Sequence, residues 1–221
     1  MPAHDTDSSL PSNVSATELP DGGITIARET RESSVEVTVS FGERDDTVRS
    51  DTGIDFFNHM LEMIAWYGGF NLRATYRTRR FRLTHVICED VGVVFGHAIR
   101  RTLERRIPDG VASDGSGFGG IDDALAFSYV ILEGRANHFL ELPDSLRTGD
   151  VEDAHNTDIA QFFEGFAQGS RGTVHLRLIA GGDPHHRWEA CFRAFAKALR
   201  AALAPDPWRA GATAGVKGTL E

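Results

Sequence analysis

Glu189–Leu203 reads EACFRAFAKALRAAL, and one hundred positions earlier Glu89–Leu103 reads EDVGVVFGHAIRRTL. Laid over each other, Phe95 meets Phe195, Ala98 meets Ala198, Arg100 meets Arg200 and Leu103 meets Leu203. In the later copy Phe192, Phe195, Leu199 and Leu203 are spaced 3, 4 and 4 apart, which is one stripe of an amphipathic helix. Phe95, Ile99 and Leu103 hold the same phase in the earlier copy.

The segments before these helices also correspond. GIDFFNHMLEMIAWYGGFNLRATY carries Phe57, Leu61 and Ile64 at helical spacing, then a Gly-Gly stop, then a strand. DIAQFFEGFAQGSRGTVHLRLIAG carries Ile159, Phe162 (or Phe163) and Phe166, then Gly172, then Val174, Leu176 and Leu178 in strand alternation. A further strand precedes each unit: SSVEVTVSFG with Val35, Val37, Val39 and Phe41 alternating, and the more continuously apolar ALAFSYVILEG. Each half therefore reads strand, strand, helix, strand, helix. The expectation is an α+β fold made by duplication, with halves at about 23–108 and 119–205. Residues 1–22 are polar and rich in Ser, Asp and Pro, and read as a mobile tail; 206–221 form a C-terminal tail.

The chain has 221 residues, 41% of them apolar, and a net charge of −9. Such a balance disfavours binding to nucleic-acid phosphates. No long uncharged apolar run predicts a membrane span, and the N-terminus lacks the basic-then-apolar pattern of a signal peptide. The two cysteines, Cys88 and Cys191, form no CxxC, which fits packing residues in a reducing cytoplasm.

His85 and Glu89 are four apart, as are His185 and Glu189. On a helix such residues stack on one face and can hold one ion. His186 is turned about 100° from His185 and addresses a different ion. Two copies in register suggest two metal centres with ligands from both halves. Imidazole and carboxylate without thiolate suit Mn, Fe, Co, Ni or Zn. His175 lies on the polar face of its strand, and His59 taken alone reads as a helix-surface residue. The acids of DDALAF and HNTD read as solvating groups.

These stretches, with ETRESSVEV, IDDALA, EGRANHFLE and VKGTL, resemble imidazoleglycerol-phosphate dehydratases from about Arg28 to Leu220. The resemblance implies a duplicated fold of the ribosomal-protein-S5-domain-2-like class. It implies a large octahedral homo-oligomer, with two Mn²⁺ ions per site at subunit interfaces and a small imidazole-bearing substrate. It implies metal ligands at His59, His85, Glu89, His175, His185, His186 and Glu189. Glu32, Glu189 and His59 become candidate catalytic residues, with Glu32 also meeting substrate. Arg135, Arg193 and Lys217 become phosphate contacts, the last in the C-terminal tail. The implied reaction is metal-assisted elimination of water in histidine biosynthesis, with a carboxylate such as Glu32 moving protons.

Three positions depart from the family pattern. Val86 stands where the first motif has a second histidine, so one ion loses an imidazole, the one expected at His185 and Glu189. Ser113 stands where a loop has a phosphate-binding arginine, and Asp114 adds an anion beside it. Val216 replaces a hydroxyl next to Lys217. An arginine fork contributes roughly 1.5–3 kcal/mol per charged hydrogen bond, so phosphate binding should weaken. Either Arg135, Arg193 and Lys217 suffice for phosphate, or the substrate is a related azole diol of secondary metabolism with altered or absent phosphate. A non-catalytic homologue assembled by metal is the third reading.

Overall fold

The computed structural model describes residues 10–213, 215, 218 and 220. The first half runs β1 (Val14–Glu18), β2 (Ile24–Glu29), β3 (Ser33–Ser40), α1 (Asp55–Gly68), β4 (Asn71–Thr78) and α2 (Thr84–Arg106). The second runs β5 (Asp114–Ile121), β6 (Ala124–Ile131), β7 (Asn137–Glu141), a short hairpin of β8 (Asp150–Val151) and β9 (Ala154–His155), α3 (Asn156–Ser170), β10 (Thr173–Ala180) and α4 (Pro184–Ala202). The sheets are ordered β1-β2-β3-β4 and β5-β6-β10-β7. The trio β2-β3-β4 thus answers to β5-β6-β10, and each sheet adds one edge strand of its own.

The alternation read in β3 and β10 places Val35, Val37, Val39, Val174 and Leu176 in the core. Helix α2 lies on the first sheet and against α3; α4 lies on the second sheet and against α1. The helical layer therefore sits between the sheets. Its centre is aromatic: Phe162 meets Phe57, Phe95, Phe192 and Phe195.

Three close approaches of backbone to backbone set the helix positions. A Cβ on Gly165 of α3 would lie 2.2 Å from the Glu89 carbonyl oxygen of α2, and one on Gly169 would lie 2.0 Å from that of Val93. Likewise a Cβ on Gly119 of β5 would lie 2.1 Å from the Ala190 carbonyl oxygen of α4. Glu89 belongs to the first HxxxE motif, and Ala190 adjoins the second.

One expectation is corrected. Part of the segment read as a mobile tail is ordered: β1 pairs antiparallel with β2 from Val14↔Arg28 to Glu18↔Ile24. Val14 and Ala16 pack on the core, and backbone pairing supplies what so short a segment cannot supply alone. Residues 1–9 of that tail lie outside the described residues.

Candidate metal centre

Asp183 and Pro184 start α4 as an N-cap and a proline in the first turn. The Asp183 carboxylate accepts from the backbone N–H of His185 at 2.8 Å and of His186 at 3.3 Å. That fixes both histidines in the first turn, with Glu189 one turn further on.

Helix α1 crosses α4 and brings His59 to the same place. His59 Nε2 and His185 Nε2 each lie 3.4 Å from Glu189 Oε2. Candidate ligand atoms of His59, His185 and Glu189 all fall within 4.8 Å of one another. Glu189 is only 4% exposed, and the two imidazoles are half-buried. Two imidazoles and a buried carboxylate converging this closely fit a divalent first-row metal.

The second carboxylate oxygen is turned to Arg193, which forms an ion pair with Glu189 Oε1. Burial works to raise the Glu189 pKa. The Arg193 hydrogen bond and charge, then His59, outweigh it and hold the carboxyl below its usual range. Carboxylates also flank the outer nitrogens of the two adjacent histidines. His185 Nδ1 lies 3.0 Å from Glu152 Oε1, and His186 Nδ1 lies 2.9 Å from Asp123 Oδ1. The Asp123 contact raises the His186 pKa, against a smaller opposing effect of desolvation.

The other expected residues lie apart. His85 is exposed at the start of α2, with Glu89 one turn on, and Val86 between them is partly exposed. His175 is exposed and stacks on Phe139 at 4.9 Å. Its register partners are Tyr129 and Phe139, so it faces outward, while Val174 and Leu176 face the helices. Among the described residues, the single metal-competent group is His59–His185–Glu189, which leaves out His85, Glu89, His175 and His186. Glu32 is exposed in the β2–β3 turn.

The expected phosphate contacts differ more. Arg135 is exposed and pairs with Glu133 at 2.9 Å. It lines a pocket of about 450 Å³ with Asp114, Tyr129, Ile131, Glu133, Asn137 and Thr173. Arg193, besides pairing with Glu189, donates to the Gly120 carbonyl at 2.8 Å and covers the Tyr67 ring. Ser113 is buried at φ 67°, donating its N–H to the Ala202 carbonyl at 2.7 Å, so it serves the fold. Asp114 accepts from Tyr129 and pairs with Arg209, and is therefore partly neutralised. Lys217 and Val216 lie outside the described residues.

Reading the sequence missed Asp123 and Glu152. Asp123 belongs to DDALAF, whose acids are not merely solvating. Asp158 of HNTD is buried and accepts from Thr84 at the start of α2. Cys88 and Cys191 are buried free thiols, and burial raises both, Cys191 to about 12.

A family profile for imidazoleglycerol-phosphate dehydratase matches residues 52–199. An imidazoleglycerol-phosphate dehydratase of Azorhizobium caulinodans is 34% identical, over 88% of this chain and 96% of the relative. One of Corynebacterium jeikeium is 36% identical, over 87% of this chain and 94% of the relative. The crystal structure of the enzyme of Pyrococcus furiosus superposes with a TM-score of 0.70 at 26% identity, covering 87% of this chain and 98% of that one.

Proposed function

The chain belongs to the imidazoleglycerol-phosphate dehydratase family, and from that premise we propose that His59, His185 and Glu189 form one of two divalent-metal centres of a hydro-lyase of histidine biosynthesis. The reaction removes water from an imidazole-bearing glycerol phosphate. The observation that carries the proposal is the convergence of two imidazole nitrogens on one buried carboxylate inside the matched span.

The nitrogen-and-oxygen donor set suits manganese along with other divalent first-row metals, and it is the family that favours manganese among them. When bound, a divalent cation supplies Lewis acidity and a template for an azole nitrogen. The chain's own residues do the rest. His59 and His185 offer Nε2, and Glu189 offers Oε2. Arg193 keeps Oε1 engaged and so fixes how the carboxylate is turned. The two imidazoles are half-buried, so the cluster is reached from solvent.

His85, Glu89, His175 and His186 are assigned to the second centre, completed by another copy of the chain. Two observations support this. His175 faces away from the helical layer that holds the first cluster. Around it the outer face of the second sheet is unusually apolar, with Phe118, Leu125, Phe139 and Ile179 exposed. Burial of such a face between copies is the ordinary reason for it. A large homo-oligomer follows, in which Glu32 moves protons at a neighbour's site. Two unbridged thiols support a cytoplasmic location.

One observation favours a second reading of the substrate's far end. The pocket beside Arg135 also holds Glu133 and Asp114, and Arg135 is already paired. This favours a substrate with a weaker anion than phosphate, on the same elimination chemistry.

The test is conversion of imidazoleglycerol phosphate by the Mn²⁺-loaded protein, followed as imidazoleacetol phosphate. Turnover is expected. A folded, metal-loaded protein that gives none refutes the histidine-pathway assignment.

A further inference from the structure

The β8–β9 hairpin turns through two residues, Glu152 and Asp153, since Val151 pairs with Ala154. Each reaches a different helix of the metal cluster. Asp153 accepts from the backbone N–H of Asp55 at 2.7 Å and of Phe56 at 2.9 Å. Helix α1, which carries His59, has no side-chain cap from its own N-cap residue, Ile54. Asp153 supplies that cap from the other half of the chain. Glu152 lies 3.0 Å from His185 Nδ1 on α4. Between them the Phe56 ring packs edge-on against the His185 ring at 5.2 Å. One two-residue turn thus holds both helices that bring imidazoles to Glu189.

The backbone supports a purpose for Glu152. Its φ is 51°, in the left-handed region. Glycine is the residue that suits a left-handed first position in a two-residue hairpin, and asparagine or aspartate tolerates it better than glutamate. A strained non-glycine residue is kept where the side chain serves something else. Here the side chain reaches His185.

We propose that Glu152 is a positioning residue for the metal centre: its carboxylate holds the proton on His185 Nδ1, fixes the ring, and leaves Nε2 free to ligate. A carboxylate on the outer nitrogen of a ligating histidine does this generally, and removing it costs about 10–100-fold in metal affinity. The proposal rests on the reading of His59, His185 and Glu189 as a metal centre.

The test uses the full chain and Mn²⁺ alone as probe. Binding is measured by titration calorimetry, and apo stability by urea unfolding, for wild type, Glu152→Gly and Glu152→Gln. Glu152→Gly relieves the backbone, so the apo unfolding midpoint should stay or rise while affinity at one class of site falls about tenfold or more. Glu152→Gln retains an oxygen that accepts from Nδ1–H, and should recover most of that loss. The visible spectrum of the Co²⁺-substituted protein should shift in Glu152→Gly, which a merely structural turn would not cause. Wild-type Mn²⁺ affinity and an unchanged Co²⁺ spectrum in Glu152→Gly overturn the proposal alone. A wild-type chain that takes up no metal overturns it together with the metal-centre reading.

Discussion

Replacing Arg193 by methionine keeps much of the stem's packing and removes its charge. Arg193 pairs with Glu189 Oε1, donates to the Gly120 carbonyl at 2.8 Å and lies 4.9 Å from the Tyr67 ring centroid. The Glu189 side chain is 6% exposed, so it cannot turn to water for a substitute. Deleting one partner of a buried pair costs roughly 3–5 kcal/mol. His59 and His185, each 3.4 Å from Oε2, remain beside the carboxylate and moderate this. The expected loss for metal-free protein near neutral pH is therefore about 2–3 kcal/mol, or about 4–12 °C in Tm for a chain of this size.

The loss should depend on pH, with a definite sign. Burial raises the Glu189 pKa, but Arg193 and His59 outweigh it, and the net folded value lies below the reference of 4.5. A carboxyl depressed on folding stabilises the fold above its unfolded pKa, and loses that contribution as pH falls through the folded value. Without Arg193 the depression is removed. The gap between wild type and Arg193→Met should be widest above about pH 5 and should narrow below about pH 4. Urea unfolding of chelator-treated protein across this range reads both quantities. A gap below about 0.5 kcal/mol at neutral pH, or one constant from acid to neutral, would refute the reasoning.

Three further outcomes are expected. Gly165→Ala gains about 1 kcal/mol of helix propensity, yet its methyl meets the Glu89 carbonyl at 2.2 Å; a net loss of about 2 kcal/mol or more in urea unfolding should result, and a neutral variant would count against the close helix contact. Val86→His restores an imidazole to the first motif and should tighten the weaker class of Mn²⁺ site on the order of 100-fold, taking structural-site energies of about 10–16 kcal/mol as shared by four ligands; unchanged calorimetry would show that position 86 does not address a metal. His175→Ala removes an exposed ring stacked only at the sheet surface, so apo stability should move by less than about 0.5 kcal/mol while Mn²⁺ stoichiometry falls, and retained stoichiometry would exclude it as a ligand.

Much of this arrangement was legible because it is local. The stripe Phe192, Phe195, Leu199, Leu203 marks α4, and the spacing of four places His185 and Glu189 on one face without any tertiary information. The strand alternation of Val35, Val37 and Val39 likewise marks one buried face. What was not legible depends on contacts between distant elements. His59 reads as a surface residue until α1 is laid across α4. Asp123 reads as a solvating acid, and Glu152 draws no reading at all, until the turns that carry them meet the two histidines. Arg193 reads as a cation for phosphate, and sequence cannot show that it also meets Glu189 and the Gly120 carbonyl. β1 reads as tail, because a lone strand of five residues has no stability until β2 lies beside it.

The contact of α3 with α2 through Gly165 and Gly169 separates what the centre is from where it is. Side chains that interlock across an interface must change in concert, which ties their drift together. A main-chain carbonyl presents the same surface whatever residue bears it, so Glu89 and Val93 set the depth of α3 without their side chains taking part. A first-turn ligand on α2 can therefore be exchanged for valine while the helix keeps its seat. The scaffold inherits position through glycine and leaves ligand identity free to vary, which is a route by which one duplicated frame can retune its metals and substrates without being rebuilt.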